Sequence, residues 1–453
     1  MYLSLSDRPG RTTKPAAPGV DDTDGTDGTD GTASPGRSTA GRVSSVVVTL
    51  GVVSLLTDIS SESVAAVLPL YLTTALGLST IAYGFIDGLF QGASALVRVA
   101  GGWAADRGDR PKWVAFAGYL LSAITRGGLL IASGFAAVTT LVAVDRIGKG
   151  IRTAPRDAMI SAASDPDHLA RSFGVHRMLD TIGAAVGPLL AFTILWFIPD
   201  GYTTVFVVSF GAAVLGVSVL GLLVPDRRPR RERAATQGTD PDAAPAQEVR
   251  PFQWRLLADP GLRRLLLVAG VLGLLTVGDG FIYLSLQARD GFATRWFPLL
   301  YVGTNAAYLL LAIPVGRFAD RVGRARVLVG GHLALLAAYV CAGVSSGSAA
   351  TTVAALVLLG TFYAATDGVL AAVAGRLTDP SARASAIGTA QTVVAVARMA
   401  SSTMFGIAWY TLGRGPAMLV VAGLLAGAIV VCWPLVRTLD PPRRVATTSE
   451  RSR

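Results

Sequence analysis

Long apolar stretches alternate with short polar loops along most of the chain. The stretches have about 20 residues or more, which at about 1.5 Å per residue is enough to cross a hydrocarbon core of about 30 Å. The pattern predicts twelve membrane-spanning helices, six on each side of a polar segment. The predicted spans are 45–74, 79–104, 113–134, 137–161, 172–197 and 203–224, then 265–287, 296–318, 326–345, 351–376, 385–410 and 416–437.

Three polar segments flank and divide these spans. Residues 1–42 contain a repetitive tract of Asp, Gly and Thr, which cannot bury enough apolar surface to fold, so they predict a disordered tail. Residues 225–260 predict a linker between two six-helix bundles, 43–224 and 261–437, and residues 438–453 predict a second tail. The first apolar stretch is too long for the core of a cleavable signal peptide, so we expect no such signal.

The charge distribution gives the class and the orientation. Charged residues make up 15% of the chain and the mean hydropathy is +0.51, whereas soluble domains carry about 25% charged residues. The net charge of +10 could suggest nucleic acid, but the basic residues concentrate in alternate loops. This positive-inside pattern argues against a nucleic-acid partner and predicts the cytoplasmic (inner) membrane, with both termini in the cytoplasm. The loop clusters are Arg107, Arg110 and Lys112; Arg227, Arg228, Arg230, Arg231 and Arg233; Arg321, Arg324 and Arg326; and Arg437, Arg443 and Arg444.

Motifs of catalysis are missing from the sequence. There is no Gly-x-x-x-x-Gly-Lys-Ser/Thr loop for ATP and no His, Cys and Asp cluster with metal-ligand spacing. Cys341 and Cys432 both fall within apolar spans and are expected to be small core residues. We therefore expect a non-enzymatic monomer in the lipid bilayer, without cofactor or metal.

One loop sequence occurs twice, 214 residues apart (positions 106 and 320). The Asp165–Pro166 pair recurs as Asp379–Pro380 at the same offset, so the chain contains two copies of one membrane-embedded unit. Such repeats are typical of secondary transporters. The first copy contains Gly102, Asp106, Arg107 and Arg110, and the second contains Gly316, Asp320, Arg321, Gly323 and Arg324.

The duplicated loop resembles the signature of the major facilitator superfamily, Gly-x-x-x-Asp-Arg-x-Gly-Arg. The second copy fits fully, whereas the first has Asp109 where the glycine belongs, which puts the usual tight turn in doubt unless Gly108 supplies it. The resemblance implies an all-α membrane protein of twelve transmembrane helices in two pseudo-symmetric six-helix bundles. It also implies that each loop aspartate acts as a conformational latch with nearby arginines, although the loops could serve only to set topology.

Two further segments resemble family motifs. Arg146 to Gly150 resembles an Arg-x-x-x-Gly motif in span 4, and span 5 resembles the antiporter motif, although Ala191 and Phe192 stand where that motif has a glycine pair. These segments and those around Asp58 and Asp145 suggest a branch near the drug/proton antiporters. The span 5 residues are Gly174, Gly183, Gly187 and Pro188, which predict either a hinge that prevents leakage in an exporter or ordinary close packing.

Ionisable residues within the spans are candidates for proton coupling, since a charge at bilayer depth costs at least about 2.5–3.5 kcal/mol and therefore needs a partner or a cavity. Asp58 and Glu62 lie one helical turn apart in span 1, and His176 and Asp180 lie one turn apart in span 5. Asp58 or Glu62 could carry the coupled proton or could be permanently paired with an arginine. His176 could relay protons or could be structural.

Other charges within the spans predict a substrate site. Arg146 and Arg152 are the expected partners of Asp58 or Glu62, and Asp87, Arg98 and Arg126 could form structural pairs. In the second half, the resemblance makes spans 7 and 10 cavity-lining, so their acids could contact substrate or could pair with other helices. The candidates for substrate binding are Arg146, Arg152, Asp279, Asp367, Gln391 and Arg398, with Phe281, Tyr283 and Tyr363 as a possible aromatic wall.

Together these features predict proton-coupled efflux, by alternating access, of a drug-like small molecule or a metabolite whose charge stays open. An uptake symporter and a non-transporting membrane receptor are the alternatives. Because more of the membrane charges lie in the first half, we expect that half to carry more of the coupling and the second to be closer to a scaffold.

Overall fold

The fold is described from a computed structural model, which covers residues 43–226, 259–344, 347–379, 382–437 and 439. The first half has six helices, and a π-helical turn at Tyr71–Ala75 extends the first of them. A 3-10 turn, Pro166–His168, precedes the fifth. The helices are α1 (Ser45–Leu70), α2 (Thr80–Gly108), α3 (Pro111–Gly128), α4 (Gly134–Ala162), α5 (Leu169–Phe197) and α6 (Tyr202–Leu223).

The described part of the second half contains eight helical segments, because two of its six spans are broken. A 3-10 turn, Thr294–Trp296, precedes the third segment. The segments are α7 (Pro260–Leu274), α8 (Asp279–Asp290), α9 (Phe297–Val322), α10 (Arg324–Gly343), α11 (Ala349–Thr366), α12 (Val369–Arg376), α13 (Arg383–Leu412) and α14 (Arg414–Arg437). Helices α7 and α8 form the seventh span, and α11 and α12 form the tenth.

All twelve predicted spans coincide with helices, which confirms the all-α fold of two six-helix bundles. Within the described residues, nine segments are long and apolar enough to cross a membrane. The other three, α2 to α4, are those that carry the charged motifs of the first half. The predicted tails 1–42 and 440–453, and linker residues 227–258, lie outside the described part of the chain, so the domain limits there stay predictions.

The two bundles repeat one packing plan. In the first, α1 packs against α5 and α6, while α4 packs against α2 and α3. In the second, α13 packs against α7, and α11 packs against α9 and α10. The bundles meet where α2 packs against α13 and α5 against α9. The central cavity is therefore bounded by helices from both halves.

The bundles are in close contact at one end. We call the end that carries Ser45, Asp109 and Gly323 the terminal side, and the opposite end the distal side. In the distal half, the Thr80 hydroxyl donates to the Gly406 carbonyl at 3.1 Å, and a Cβ on Gly84 would lie 2.5 Å from the Ser402 carbonyl oxygen. Such close backbone approach requires small residues.

Aromatic side chains close a second distal contact, between α5 and the start of α9. The ring centroid of Trp296 lies 5.6 Å from that of Phe192 and 5.5 Å from that of Trp196. The guanidinium of Arg295 lies 4.4 Å from the Trp196 ring centroid. Phe192 is one of the two residues that replace the expected glycine pair, so this departure from the motif supplies a contact between the bundles.

The breaks in the seventh and tenth spans correct the prediction of continuous helices. Between α7 and α8, the Tyr339 hydroxyl accepts from the Val277 N–H at 2.7 Å and donates to the Leu275 carbonyl at 2.9 Å. The break between α11 and α12 lies at Asp367 and Gly368, whose φ is 77°. Irregular backbone at membrane depth is tolerated where it is buried in protein or lines a cavity, and such breaks commonly mark transporter binding sites.

The duplicated loops turn at equivalent positions, with different residues in different backbone conformations. Gly323, between α9 and α10, has φ 122° and ψ 126°, a conformation that only glycine adopts readily. In the first copy, α2 ends at Gly108, and Asp109 itself adopts the left-handed conformation with φ 48° and ψ 35°. Aspartate tolerates this region better than most residues, so the turn survives without the signature glycine and does not depend on Gly108.

Candidate functional site

A cavity of about 280 Å³ lies between the bundles near the middle of the spans. Its walls come from both halves of the chain. The first half contributes Glu62, Ala65, Leu68, Pro69, Tyr83, Asp87, Phe90 and Gln91, and the second contributes Asp279, Gly280, Tyr283, Tyr301, Thr304, Asn305, Tyr308, Tyr363 and Asp367. Two predicted substrate residues, Asp279 and Asp367, are therefore cavity residues, as is the proton-coupling candidate Glu62.

The broken spans position the acids of the second half. Asp279 is the first residue of α8, where the positive end of the helix dipole favours a carboxylate. Its Oδ1 accepts from the Tyr363 hydroxyl at 2.7 Å. The Tyr363 oxygen in turn accepts from Nη2 of Arg398 at 3.0 Å. Asp279, Tyr363 and Arg398 thus form a chain of hydrogen bonds from the cavity to α13.

Asp87 contributes a carboxylate from the opposite wall. The Ser402 hydroxyl on α13 donates to its Oδ2 at 2.6 Å, across the contact between the bundles. Gln91, one turn further along α2, is a second hydrogen-bond partner. Arg398 interacts electrostatically with both Asp87 and Asp279, so the cavity acids are linked to the helix that seals the distal side.

A second charged cluster fills the first bundle around α4. Asp145 Oδ1 lies 3.1 Å from Nη2 of Arg126 on α3, and both side chains are buried. Arg146 also pairs with Asp145, and its guanidinium lies 3.8 Å from the ring centroid of Phe90. The structural pair suggested for Arg126 is present, whereas Arg146 does not pair with Asp58 or Glu62 as predicted, because the adjacent Asp145 already binds its guanidinium.

Arg152, the other predicted partner of Asp58 or Glu62, points toward α3. Its Nη1 donates to the Ser122 hydroxyl at 3.2 Å, and its guanidinium lies 4.5 Å from the Tyr119 ring centroid. The cation that interacts electrostatically with both Asp58 and Glu62 is Lys149. The helical spacing of α4 put all these cations on the candidate face, but only the packing shows which one faces α1.

The carboxyl groups of Asp58 on α1 and Asp180 on α5 lie within hydrogen-bonding reach of each other. Two carboxyl groups can share a hydrogen bond only when one of them is protonated. Asp180 Oδ2 also lies 3.1 Å from Nη1 of Arg177, and its Oδ1 lies 3.9 Å from Nη1 of Arg156. The arginines favour a charged Asp180, so the arrangement fits a protonated Asp58 donating to an ionised Asp180.

His176 lies one turn from Asp180 but faces α1. Its Nε2 lies 2.9 Å from the Ser54 hydroxyl, and the imidazole is buried. The same hydroxyl accepts from Nη1 of Arg156 at 3.4 Å. Three of the four predicted proton-coupling residues, Asp58, His176 and Asp180, therefore lie in one network between α1 and α5, and Glu62 lies one turn away at the cavity.

The span 5 glycines pack α5 against α1. A Cβ on Gly183 would lie 2.5 Å from the Leu55 carbonyl oxygen, and one on Gly187 would lie 2.8 Å from the Ser63 nitrogen. Pro188 is buried in the same stretch of helix. A Cβ on Gly174 would meet no described atom within 4 Å, so this glycine takes no part in the close packing of α5 against α1.

The predicted latch residues lie at the terminal side. Asp320 Oδ1 is 2.8 Å from Nη2 of Arg324, one turn onward in the same loop. Gly316, Arg321 and Gly323 lie in or directly after α9, and Arg110 immediately precedes α3. Gly102, Asp106 and Arg107 belong to α2, but their side chains lie outside the described part of the structure.

Some predicted and observed cavity residues differ. Arg146, Arg152, Gln391 and Arg398 are not among the described residues that line the cavity, and Gln391 is exposed on α13. Residues that the sequence reasoning did not single out are Tyr83, Gln91, Tyr301, Thr304, Asn305 and Tyr308. Polar side chains at helical spacing, positions 83, 87 and 91 on α2 and 301, 304 and 308 on α9, were the signal that could have identified them.

Comparisons with known proteins agree with this architecture. A family model described as Major Facilitator Superfamily matches residues 50–304 and 291–453. An uncharacterised MFS-type transporter of Methanocaldococcus jannaschii is 28% identical over 400 residues, covering 84% of this chain and 94% of that protein. An uncharacterised protein of Mycobacterium tuberculosis is 26% identical over 393 residues, covering 86% of this chain and 92% of that protein.

Solved transporters share the fold. The crystal structure of the nucleoside transporter NupG superposes with a TM-score of 0.71 at 14% identity, covering 86% of this chain and 99% of that one. A bacterial homologue of the human lysosomal transporter Spinster superposes with a TM-score of 0.68 at 16% identity, covering 88% of this chain and 98% of that one. These identities speak for the fold alone, whereas the family model covers almost all the described helices. The chain belongs to the Major Facilitator Superfamily and is a multi-pass membrane transporter, not an enzyme.

Proposed function

We propose that this transporter is a proton-coupled exporter, related to the drug/proton antiporters, that exchanges protons for a small molecule by alternating access. The observation that carries the proposal is the close approach of the carboxyl groups of Asp58 and Asp180. A group that holds a proton inside the membrane, next to a cargo cavity, is what proton coupling requires.

The carboxyl pair can convert proton binding into helix movement. With a proton present, Asp58 and Asp180 attract each other across α1 and α5. Without it, two carboxylates repel at short range in a medium of low dielectric constant. Lys149, which interacts electrostatically with Asp58 and Glu62, can then neutralise part of the charge on α1. Loading and release of one proton therefore alters the contact between α1 and α5.

Glu62 provides the route from this pair to the cavity. It lies one helical turn from Asp58 on α1 and is itself a cavity residue. Lys149 is shared between the two carboxyl groups, so a change of charge at Asp58 changes the partner available to Glu62. Proton binding and cargo binding are thereby connected through a single cation without sharing a site.

Export is supported by the span 5 motif. Gly183 and Gly187 allow the backbones of α1 and α5 to touch, which leaves little space for water or ions to leak past the carboxyl pair. This close contact between α1 and α5 is the property expected of the hinge in an antiporter. Gly174 contributes nothing to this contact, so the hinge we propose consists of Gly183, Gly187 and Pro188.

Alternating access would proceed by opening the distal contacts. These are the small-residue contact of α2 with α13 and the aromatic contact of α5 with α9. With the termini in the cytoplasm, as the basic loops predict, a closed distal side corresponds to an inward-facing form in the cytoplasmic membrane. In the outward-facing form, we propose that Asp106 and Asp320 latch the terminal side. We further propose that each monomer forms a complete transport unit.

The chain of Asp279, Tyr363 and Arg398 offers a way for cargo to act on this equilibrium. Arg398 lies on α13 next to Met399, whose carbonyl oxygen would lie 2.5 Å from a Cβ on Gly88 of α2. Cargo that competes for Asp279 would release Tyr363 and Arg398 and would change the distal contact. The transport experiment also distinguishes two alternative functions, which are uptake by symport and ligand binding without transport.

The test is transport into proteoliposomes with an imposed pH gradient, using radiolabelled small molecules of each charge class. Wild type should move its cargo against the direction of proton flow, and Asp58→Asn and Glu62→Gln should lose this response. Asp157→Asn is a matched control, because Asp157 pairs with Arg156 at 2.9 Å but is not part of the carboxyl pair. Both variants matching wild type would contradict proton coupling, and cargo moving with the protons would indicate symport.

A further inference from the structure

The cavity wall has an unbalanced charge. Among the described residues that line it, four are acidic, Glu62, Asp87, Asp279 and Asp367, and none is basic. The nearby Arg398 is one positive charge that interacts with both Asp87 and Asp279, and Lys149 is likewise shared by Asp58 and Glu62. Carboxylates removed from water need positive charge or hydrogen-bond donors, so the cavity attracts a cation.

Aromatic rings make up much of the remaining wall. Tyr83, Tyr283, Tyr301, Tyr308 and Tyr363 all line the cavity, together with Phe90. The rings of Tyr283 and Tyr301 meet edge to face with their centroids 4.6 Å apart. Aromatic faces attract ammonium groups and stack on flat apolar ligands. Carboxylates combined with several aromatic rings favour an organic cation over a hydrated metal ion, which requires a shell of oxygen ligands.

Tyr83 supplies an independent sign of a ligand. Its side chain is 2% exposed, and its hydroxyl has no hydrogen-bond partner among the residues that the structure describes. The ring is held by an edge-to-face contact with Phe281, with the centroids 4.6 Å apart, and Tyr83 lines the same cavity as Asp87 and Asp279. A buried hydroxyl is normally hydrogen-bonded, so this one is available to a ligand N–H or O–H group beside the two carboxylates.

We propose that the cargo is a small aromatic amine in its protonated form, with its ammonium group held by Asp279 and Asp87 and its ring packed among the tyrosines. The proposal rests on the proposed function, because it names the cargo of the same cavity. A volume of about 280 Å³ lies just below the range of about 300–1,000 Å³ for drug-sized ligands. The cavity therefore accommodates a single substituted ring, not a large polycyclic drug.

Binding of tritiated tyramine to the purified transporter tests the charge class. The matched competitors are tyrosine, which is zwitterionic, and para-hydroxyphenylpropionate, which is anionic, since both keep the ring and change only the charge. We expect tyramine to bind and to be displaced by excess unlabelled tyramine but much less by either competitor. Failure of tyramine to bind, or tighter binding of either competitor, would overturn the proposal.

Two substitutions separate a binding role from a structural one. Asp279→Asn retains an oxygen that can accept the hydrogen bond from Tyr363, and it should weaken tyramine binding by about tenfold or more. Its control is Asp200→Asn, which changes an exposed acid in a loop. Tyr83→Phe removes a hydroxyl without a protein partner, so it should leave thermal stability unchanged or raised while weakening binding by about threefold to tenfold. Tyr410→Phe on an exposed face of α13 is its control. Unaltered binding by Tyr83→Phe would contradict the proposal even if Asp279→Asn proved unstable.

Transport separates this proposal from the proposed function. If tyramine binds as described but its movement ignores a pH gradient, the cargo class stands and proton coupling fails. If tyrosine or the anion moves in response to the gradient while tyramine does not, proton coupling stands and the cargo class is wrong. Tyramine movement against the proton flow, lost in Asp279→Asn, would support both.

Discussion

Replacing Asp58 by asparagine removes the proposed proton-binding group while preserving the fold. The asparagine amide can donate to Asp180 in place of the protonated carboxyl, so the hydrogen bond between α1 and α5 is kept. Exchange of one neutral donor for another should change the free energy of unfolding by no more than about 1 kcal/mol. Asp58→Leu, in contrast, leaves Asp180 without this donor, at a cost of about 1–3 kcal/mol, partly offset because Arg177 remains 3.1 Å away.

The assay is infrared spectroscopy of the purified transporter, which detects the carbonyl band of protonated carboxyl groups without any cargo. At neutral pH, wild type should show a band that is missing in Asp58→Asn, while thermal unfolding stays close to that of wild type. Asp180→Asn should also lose the band, since Asp58 then has Lys149 as an electrostatic partner but no carboxylate with which to share a proton. It should be less stable, because Arg177 loses its carboxylate partner and Arg156 loses one of two, Asp157 being the other.

The control and the refuting result use the same measurement. Asp157 also contacts Arg156, at 2.9 Å, but is partly exposed, so Asp157→Asn should keep the band. If Asp58→Asn gives the wild-type band, the carboxyl pair holds no proton and the reasoning is wrong. Loss of the band together with unfolding of Asp58→Asn would show that Asn does not replace the hydrogen bond, which contradicts the stability argument.

Three further predictions concern glycines at close backbone contacts and the residues at the two loop turns. Gly183→Ala brings a Cβ to 2.5 Å from the Leu55 carbonyl and should destabilise by about 1–3 kcal/mol, whereas Gly174→Ala, in open space, should be neutral or stabilise by up to about 1 kcal/mol in the same thermal unfolding assay. Gly323→Ala, at φ 122°, should lower the free energy of unfolding by about 1–3 kcal/mol. Asp109→Gly should change it by no more than about 1 kcal/mol. Equal losses in the two variants would contradict the account of the two turns. Gly88→Val should hold α2 away from α13, because its Cβ would lie 2.5 Å from the Met399 carbonyl. It should therefore speed thiol labelling of a Thr80→Cys reporter in a variant without Cys341 and Cys432, and an unchanged rate would contradict the distal closure.

The sequence predicted the spans well, because hydrophobic length is a local property and each helix satisfies its own backbone hydrogen bonds. It did not predict the breaks at Asp279 and Asp367, because no proline marks them. The first break depends on the Tyr339 hydroxyl, contributed by α10. A partner so far along the chain cannot be identified from local pattern, although Gly278 and Gly368 beside the two acids were a weak signal.

The charges show a similar limit. Helical spacing correctly put the cations of α4 and the acids of α1 within reach of each other, but the pairing depends on side-chain packing. Asp145 binds Arg126 and Arg146, and Lys149 interacts electrostatically with both Asp58 and Glu62. The turn at Asp109 shows the converse case, in which a departure from the signature still gives a turn, because aspartate can adopt a left-handed conformation that differs from that of Gly323.

The expectation that the second half is mainly a scaffold does not fit the cavity, whose wall it shares with the first half. The proposed roles instead divide between the bundles, with the proton on Asp58 and Asp180 and the cargo at Asp279 and Asp87. Separate sites cannot couple by simple competition, so coupling has to pass through elements that both sites contact. One such element is α1, which carries Asp58 and the cavity residue Glu62, whereas α13 carries Arg398 and Ser402, which contact the cargo side of the cavity. Cargo at Asp279 would therefore act on the distal contact of α13 with α2, and a proton shared by Asp58 and Asp180 would act on the distal contact of α5 with α9, so both would bear on closure of the same side.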